Sequence, residues 1–225
     1  MPKDNHANVF VISAPSGAGK TTLISKLLKE FPRLDFSIST TTRQPRQGET
    51  NGRDYHFVDK NQFKKEIDTG NFLEYASIHG NYYGTTLKSA QRVLKTGRDL
   101  LLDVDVQGCE SIQEKWGEEP VYIFILPPSF AELKNRLLLR GTESTDTLKT
   151  RLTNAAKELA KYKLYNYLVI NDDLELAYQE LRAIYLASRY TTQYRKELAE
   201  KLLIDFHTQT TLQSQNRQLD LNDTT

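Results

Sequence analysis

The sequence predicts an α/β fold in which a parallel sheet is wrapped by helices and interrupted by a small α+β insertion. Three observations predict it. Short β-branched apolar runs alternate with segments of helical periodicity, the pattern of strands joined by crossover helices. One strand-to-helix junction carries a glycine-rich loop. Between Thr40 and Lys95 the alternation gives way to short aromatic-rich segments. At 225 residues the chain can bury one substantial core.

The elements follow in order. Asn8 to Ala14 is a β-branched apolar run, broken by Pro15-Ser-Gly-Ala-Gly19 and followed by helical spacing through Thr21, Leu23, Leu27 and Leu28. The insertion contains Tyr55 to Val58, Phe72 to Ser77 and a turn at Asn81 to Gly84. Two further strand-then-helix units are Asp99 to Val104 into Gln107 to Trp116, and Val121 to Leu126 into Ser129 to Arg140. A last strand, Tyr167 to Ile170, leads into a periodic segment from Leu174 to Phe206. No repeat of fixed period is present. One domain is expected over residues 1–206, with its core at about 8–40, 97–136 and 148–206, the insertion at about 41–96 and a mobile lid at about 137–147. Residues 207–225 are rich in Gln, Asn, Thr and Asp with few apolar side chains, and are expected to form a disordered polar tail.

Composition excludes several classes. Thirty Lys plus Arg face 29 Asp plus Glu, a formal charge of +1, so no global field draws the protein to nucleic acid or a membrane surface. Any anion site must be local. The single cysteine, Cys109, cannot form an intramolecular disulfide, and Met1 to Asn8 is polar, so a cytoplasmic location is expected. The apolar runs fall short of the roughly 20 residues that cross a bilayer.

The segment Ala14-Pro15-Ser16-Gly17-Ala18-Gly19-Lys20-Thr21-Thr22 sits where a phosphate-cradling loop belongs, after a buried strand and opening a helix. In such a loop backbone N–H groups point inward and the helix N-terminus adds unpaired donors and positive dipole. Lys20 would reach the β- and γ-phosphates of ATP, and the Thr21 hydroxyl would ligate Mg²⁺ bridging them, with Thr22 its neighbour. The pattern is that of the P-loop of the P-loop NTPase fold, except that Ala14 replaces the usual first glycine; a glycine-rich strand-to-helix turn that binds nothing is the alternative reading. A second carboxylate normally ends a neighbouring hydrophobic strand and serves the metal, and Leu100-Leu-Leu-Asp103 fits. Asp103 and Asp105 alternate along that strand end and are expected on one face. A solvated pair of carboxylates is the alternative reading.

Across the insertion, Thr41-Thr-Arg43-Gln-Pro-Arg46-Gln-Gly-Glu49-Thr-Asn-Gly52-Arg-Asp-Tyr55-His-Phe57 gathers arginines and aromatics. Guanidinium forks give permanently charged, bidentate contacts to an acceptor phosphate, and a Tyr55 hydroxyl adds a donor. A solvated basic loop is the bland alternative.

This segment matches T-[ST]-R-x2-[KR]-x2-[DE]-x2-G-x2-Y-x-[FY] at every fixed position, and the chain thereby resembles the guanylate kinase family. The resemblance runs from about Val9 to about Tyr190. It includes the Gly80-Asn-Tyr-Tyr83-Gly84-Thr85 turn, Leu102-Asp-Val-Asp-Val-Gln-Gly108, Arg140-Gly-Thr142 and Asn171-Asp172-Asp173, and Ala14 occurs in the family's loop. The resemblance implies transfer of the ATP γ-phosphate to GMP, with dGMP as a further acceptor. It implies that Arg43, Arg46, Tyr55 and Tyr83 hold the GMP phosphate, and that Ser39, Glu74, Thr85 and Asp105, beside Gly84, face guanine. Guanine presents N1–H and its exocyclic amine side by side, so one carboxylate accepts both, and adenine offers neither. The resemblance also implies a lid whose arginines, Arg136, Arg140 and Arg151, close over the γ-phosphate. Asn171 and Asp172 would lie near adenine.

The acceptor phosphate has its second pKa near ~6, so its oxygen is an anion at neutral pH and needs no general base. His6, His56, His79 and His207 show no metal-ligand spacing. Catalysis is therefore expected from positioning and charge neutralisation by Lys20, Arg43, Arg140 and Arg151. Two other readings compete: a non-catalytic phosphopeptide-binding module of the same fold, and a kinase acting on ribose 1,5-bisphosphate. The partners expected are the small-molecule substrates GMP and ATP, with no nucleic acid or membrane; the long last helix could either cover the core or pair with another subunit in a homo-oligomer, and the sequence does not choose between them.

Overall fold

The computed structural model describes residues 7–78, 80–139 and 145–222. In chain order these form β1 (Val9–Ser13), α1 (Lys20–Glu30), β2 (Leu34–Phe36), β3 (Thr40–Thr41), β4 (His56–Phe57), α2 (Lys60–Asp68), β5 (Phe72–Ile78), β6 (Asn81–Thr86) and α3 (Leu87–Leu94). Then follow β7 (Asp99–Asp103), α4 (Val106–Trp116), β8 (Val121–Leu126), α5 (Phe130–Leu139), α6 (Thr145–Leu159), a 3₁₀ turn (Tyr162–Leu164), β9 (Tyr167–Ile170), α7 (Leu174–Ser188) and α8 (Lys196–Asn222).

The main sheet has the order β2-β7-β1-β8-β9, and every pairing is parallel. Parallel strands covered on both faces read as continuous apolar runs, which is why β1, β7 and β8 were visible in the sequence. Alternate residues feed two layers. Phe10, Ile12, Leu101, Ile123, Ile125 and Val169 pack with Leu23, Leu27, Ala177, Leu181 and Tyr185 of α1 and α7. Val11, Leu100, Leu102, Tyr122 and Phe124 pack on the other face with Ala90, Val93, Cys109 and Ile112 of α3 and α4. The chain leaves β1 toward β2 and β7 and returns to β8 on its other side. That reversal opens a crevice beyond the carboxyl end of β1, where ligands bind in open α/β sheets.

The insertion is a second, mixed sheet of order β4-β3-β6-β5. Its packing centres on Phe63 of α2, stacked on Phe72 at 4.3 Å and Tyr82 at 5.3 Å between ring centroids. Asp59, Thr86, Asp105 and Asp173 cap α2, α3, α4 and α7 through side-chain oxygens that accept from helix N–H groups. Each such cap contributes about 1 kcal/mol.

Three expectations change. The periodic segment from Leu174 is two helices, because α7 ends at Ser188 and α8 starts at Lys196. Between them the Thr191 hydroxyl accepts from Tyr194 N at 3.2 Å, a local bond that competes with helix continuation, and Tyr194 is buried at the turn. The expected disordered tail is helical through Asn222. Its polarity does exclude burial, and residues 201–211 are all exposed, but the segment contains no Gly or Pro to break a helix. Asp105 is not part of a strand: β7 ends at Asp103, and Asp105 is the N-cap of α4, so strand alternation does not relate the two. Of the expected lid, residues 140–144 lie outside the described residues, while α5 and α6 bracket them.

Candidate active site

The glycine-rich loop turns from β1 into α1 and lines a cavity of about 480 Å³. Residues 14–22, with Asp105, Gln107 and Arg151, form its walls. Gly17 and Gly19 have φ of 95° and 94°, the left-handed region that side chains with a Cβ avoid. Space is limiting as well, because a Cβ on Gly19 would lie 2.1 Å from Asn171 Nδ2. Asn171, buried at the end of β9, donates from Nδ2 to the Ala18 carbonyl at 2.7 Å and so holds the loop from beneath. Gly19→Ala is expected to cost about 1–3 kcal/mol of stability. A fall in the denaturant midpoint at constant m-value is the measurement, and an unchanged midpoint would refute this account of the loop.

Lys20 opens α1. Its Nζ pairs with Asp103 at the end of β7 and donates to the Val104 carbonyl at 3.0 Å. The loop lysine and the strand-end carboxylate are thus side by side, and Thr21 and Thr22 are exposed on the first turn of α1. From α6, Arg151 Nη2 donates to Ser16 Oγ at 3.1 Å, which places one expected lid arginine over the loop. Glu158, also on α6, lines the same cavity. Burial raises its pKa, with Asp105 acting in the same direction and Lys20 opposing it. The sequence reading missed Glu158, which looks like any helix-surface acid. Arg136 instead pairs with Glu132 one turn earlier at 2.7 Å and does not line this cavity. Asp172 is exposed beyond β9, and Arg140 lies outside the described residues.

The acceptor-side residues form a second cluster. The Arg43 guanidinium pairs with Glu49 at 2.9 Å and lies 5.4 Å from the centre of the Tyr55 ring and 5.9 Å from that of Phe57. Tyr55 and Tyr83 meet edge to face at 6.1 Å. Glu49 also accepts from the Arg46 backbone N at 2.7 Å. It therefore orients both arginine positions, a role hidden behind its being one fixed acid of the motif. The Arg46 side chain is exposed, and Ser39 is half-buried with its carbonyl accepting from His56 N at 2.9 Å.

Glu74 is the buried carboxylate of the insertion, 5 % exposed, opposite Thr85 on β6. Burial first, and then the charge of Asp105, push its carboxyl up to about 7 against hydrogen bonding from Thr85 and the charge of Lys115. Two glycines allow the close packing here, Gly84 against the strand backbone and Gly108 against the carboxylate. A Cβ on Gly84 would fall 2.7 Å from the Glu74 carbonyl, and one on Gly108 would fall 2.8 Å from Glu74 Oε2 and 3.3 Å from Asp105 Oδ1. Asp105 Oδ1 accepts from Gly108 N at 2.8 Å, so the cap of α4 and the Glu74 carboxylate share one small space. Gly108 was legible only as a motif letter.

A phosphate loop at the switch point of a parallel sheet, facing an arginine–tyrosine cluster on a small inserted sheet, defines a phosphotransferase of the P-loop NTPase fold. The sequence profile described as guanylate kinase matches residues 6–188. A guanylate kinase of Oleidesulfovibrio alaskensis is 50% identical over 206 residues, covering 92% of this chain and 100% of that one. One from Nitratidesulfovibrio vulgaris is 47% identical over 203 residues, covering 90% and 98%. The crystal structure of guanylate kinase from Anaplasma phagocytophilum matches with a TM-score of 0.67 at 31% identity, over 84% of this chain and 89% of that one. The protein belongs to the guanylate kinase family and is a nucleoside monophosphate kinase.

Proposed function

We propose that the protein transfers the γ-phosphate of ATP to GMP, and also to dGMP, by direct in-line displacement without a covalent intermediate. The observation that carries this reading is Glu74, a buried carboxylate with space left for it by the missing side chain of Gly108, on the acceptor side of the phosphate loop. Its two oxygens match guanine N1–H and the exocyclic amine. The Arg43, Arg46, Tyr55 and Tyr83 group would hold the acceptor phosphate, with Ser39, Thr85 and Asp105 around the base. On the donor side, Ala14 to Thr22 would cradle the ATP phosphates, Lys20 would neutralise charge on the β- and γ-phosphates, and Arg151 would cover them from α6. Asn171 and Asp172 are assigned to the adenine end, and Arg136 and Arg140 to lid closure.

Thr21 and Asp103 fit a Mg²⁺ ion. The exposed Thr21 hydroxyl opens the helix beside the loop, Asp103 is partly solvated, and no cluster of three or more His, Cys, Asp or Glu exists among the described residues. That is the donor set of a magnesium ion held chiefly by phosphates and water. When bound, Mg²⁺ would supply charge neutralisation on the ATP phosphates.

The test is ADP release from ATP and Mg²⁺ with GMP, dGMP, AMP, UMP and ribose 1,5-bisphosphate offered separately. Release confined to GMP and dGMP is expected. Activity with the sugar alone would overturn the base site, and silence throughout would favour a non-catalytic binding module.

The raised Glu74 pKa sets a pH dependence. With a value of about 7, the carboxyl is about one tenth ionised at pH 6 and about nine tenths at pH 8. Guanine needs the ionised form, so GMP affinity is expected to rise across this range. The pH profile of kcat/KM for GMP in Glu74→Gln, measurable even where binding is too weak to titrate, provides the reference that removes the acceptor phosphate's own ionisation. A wild-type profile parallel to that of the variant would refute the assignment. The free protein shows the opposite sign. Its folded state keeps a proton that the unfolded chain releases above the ordinary 4.5, so its stability falls as pH rises from about 4.5 to about 7.

A further inference from the structure

Helix α4 packs along β5, and its far end does something its N-cap does not explain. Lys115 Nζ donates to the Phe72 carbonyl at 2.9 Å and to the Leu73 carbonyl at 2.6 Å. Both acceptors belong to buried residues immediately before Glu74. The pairing of β5 with β6 is irregular at this point: Phe72 lies opposite Thr86 and Glu74 opposite Thr85, a shift of register between them. A bulge disrupts the ladder locally and re-aims the side chain that follows it. Here the consequence is visible in burial, since Phe72, Leu73 and Glu74 are all buried in succession where a regular strand would alternate. An ammonium group with three donors suits carbonyls displaced from a ladder.

We propose that Lys115 is a positioning residue for base recognition: it anchors the Phe72–Leu73 bulge from α4 and so fixes where the Glu74 carboxylate meets guanine. The proposal rests on the reading of Glu74 as the guanine-binding carboxylate. Lys115 is also one of the polar groups around that carboxylate, with the Thr85 hydroxyl on β6 and Asp105 at the start of α4. It couples the insertion to the core helix that ends at Trp116, through bonds to Phe72 and Leu73 rather than to the phosphate loop.

The test is steady-state kinetics of Lys115→Met, with Lys115→Gln as a second variant that keeps a neutral donor, using GMP and IMP as acceptors. IMP has guanine's N1–H and O6 but lacks the exocyclic amine, so the GMP-to-IMP ratio of kcat/KM reports how squarely the carboxylate faces the base. In Lys115→Met the KM for GMP is expected to rise about tenfold and the GMP-to-IMP ratio to shrink, with the KM for ATP unchanged within about twofold. Lys115→Gln should fall between it and wild type, and carries the test if Lys115→Met does not fold. A brace serving stability alone would lower the melting temperature and leave the ratio at its wild-type value, which overturns the proposal. Glu74→Gln run in parallel separates the two claims. If Glu74→Gln collapses the ratio and both Lys115 variants preserve it, the positioning role falls and the guanine reading stands. If Glu74→Gln itself preserves the ratio, the guanine reading falls and the positioning role falls with it.

Discussion

Lys20→Ala is expected to reduce turnover by on the order of a thousandfold or more while the protein stays folded. The chemistry concentrates charge on the γ-phosphate oxygens, and Lys20 is the cation of the loop proposed to neutralise it. Its current partners show why loss of the side chain should be structurally mild. Nζ pairs with Asp103 and bonds the Val104 carbonyl, but Asp103 retains 26% of its side-chain exposure, so water can replace the ammonium. Loop geometry depends on other contacts: Ala18 N to the Pro15 carbonyl at 3.1 Å, the two left-handed glycines, and Asn171 beneath Ala18. A stability change within about 2 kcal/mol follows from the loss of one partly solvated pair. Lys26 serves as the control on the same helix, because it pairs with Glu175 away from the loop, and Lys26→Ala should turn over within about twofold of wild type. Single-turnover phosphate transfer and a denaturant melt of each variant make the comparison. Turnover of Lys20→Ala within tenfold of wild type would remove the loop from the mechanism.

Buried parallel strands announce themselves, and so β1, β7 and β8 were legible within a residue or two, while the edge strand β9, buried only at Val169, was legible as a short β-branched and aromatic run. The insertion was legible as a change of pattern but not as a shape. Strands β3 and β4 have two residues each, too few for any periodicity, and are set by pairing across the chain. The site divides the same way. Lys20, Asp103, Arg43, Tyr55 and Tyr83 could be placed because motif spacing fixes backbone position. Side chains that work by filling or clearing space could not. Glu49 is one acid among many until Arg43 and Arg46 are seen to share it, and Gly108 is an ordinary helical glycine until its missing Cβ is set 2.8 Å from Glu74. Lys115 reads as a solvent-facing residue near the end of an amphipathic helix, and only the bulge in β5 gives its ammonium something to hold. The helix at 207–222 illustrates the converse error. Low apolar content argues against burial, and it carries no information against a helix that stays in water.

The second large effect is expected from Glu74, and here the change is one of choice rather than speed. In Glu74→Gln the side chain keeps its volume but replaces one acceptor oxygen with an amide donor. That donor then opposes a guanine donor, so GMP loses one of its two bonds, keeps the other only to a neutral oxygen, and gains a repulsive contact. A site built to hydrogen-bond a substrate rejects a mismatched group by on the order of 10⁴-fold, because buried polar atoms are left unpaired. The loss for GMP in kcat/KM should approach that size, while the KM for ATP holds. Stability should move the other way at neutral pH and above, since the wild-type protein keeps a 5 % exposed carboxylate ionised there without a fully compensating partner. Less GMP use together with an unchanged or higher melting temperature at pH 8 is therefore the signature of a residue kept for recognition. Gly108→Ala approaches the same carboxylate from outside. A methyl group 2.8 Å from Oε2 must push it aside, so GMP use should drop although Glu74 is present and charged. The acceptor panel run on both variants decides the matter: GMP activity within tenfold of wild type in Glu74→Gln would show that guanine is read elsewhere.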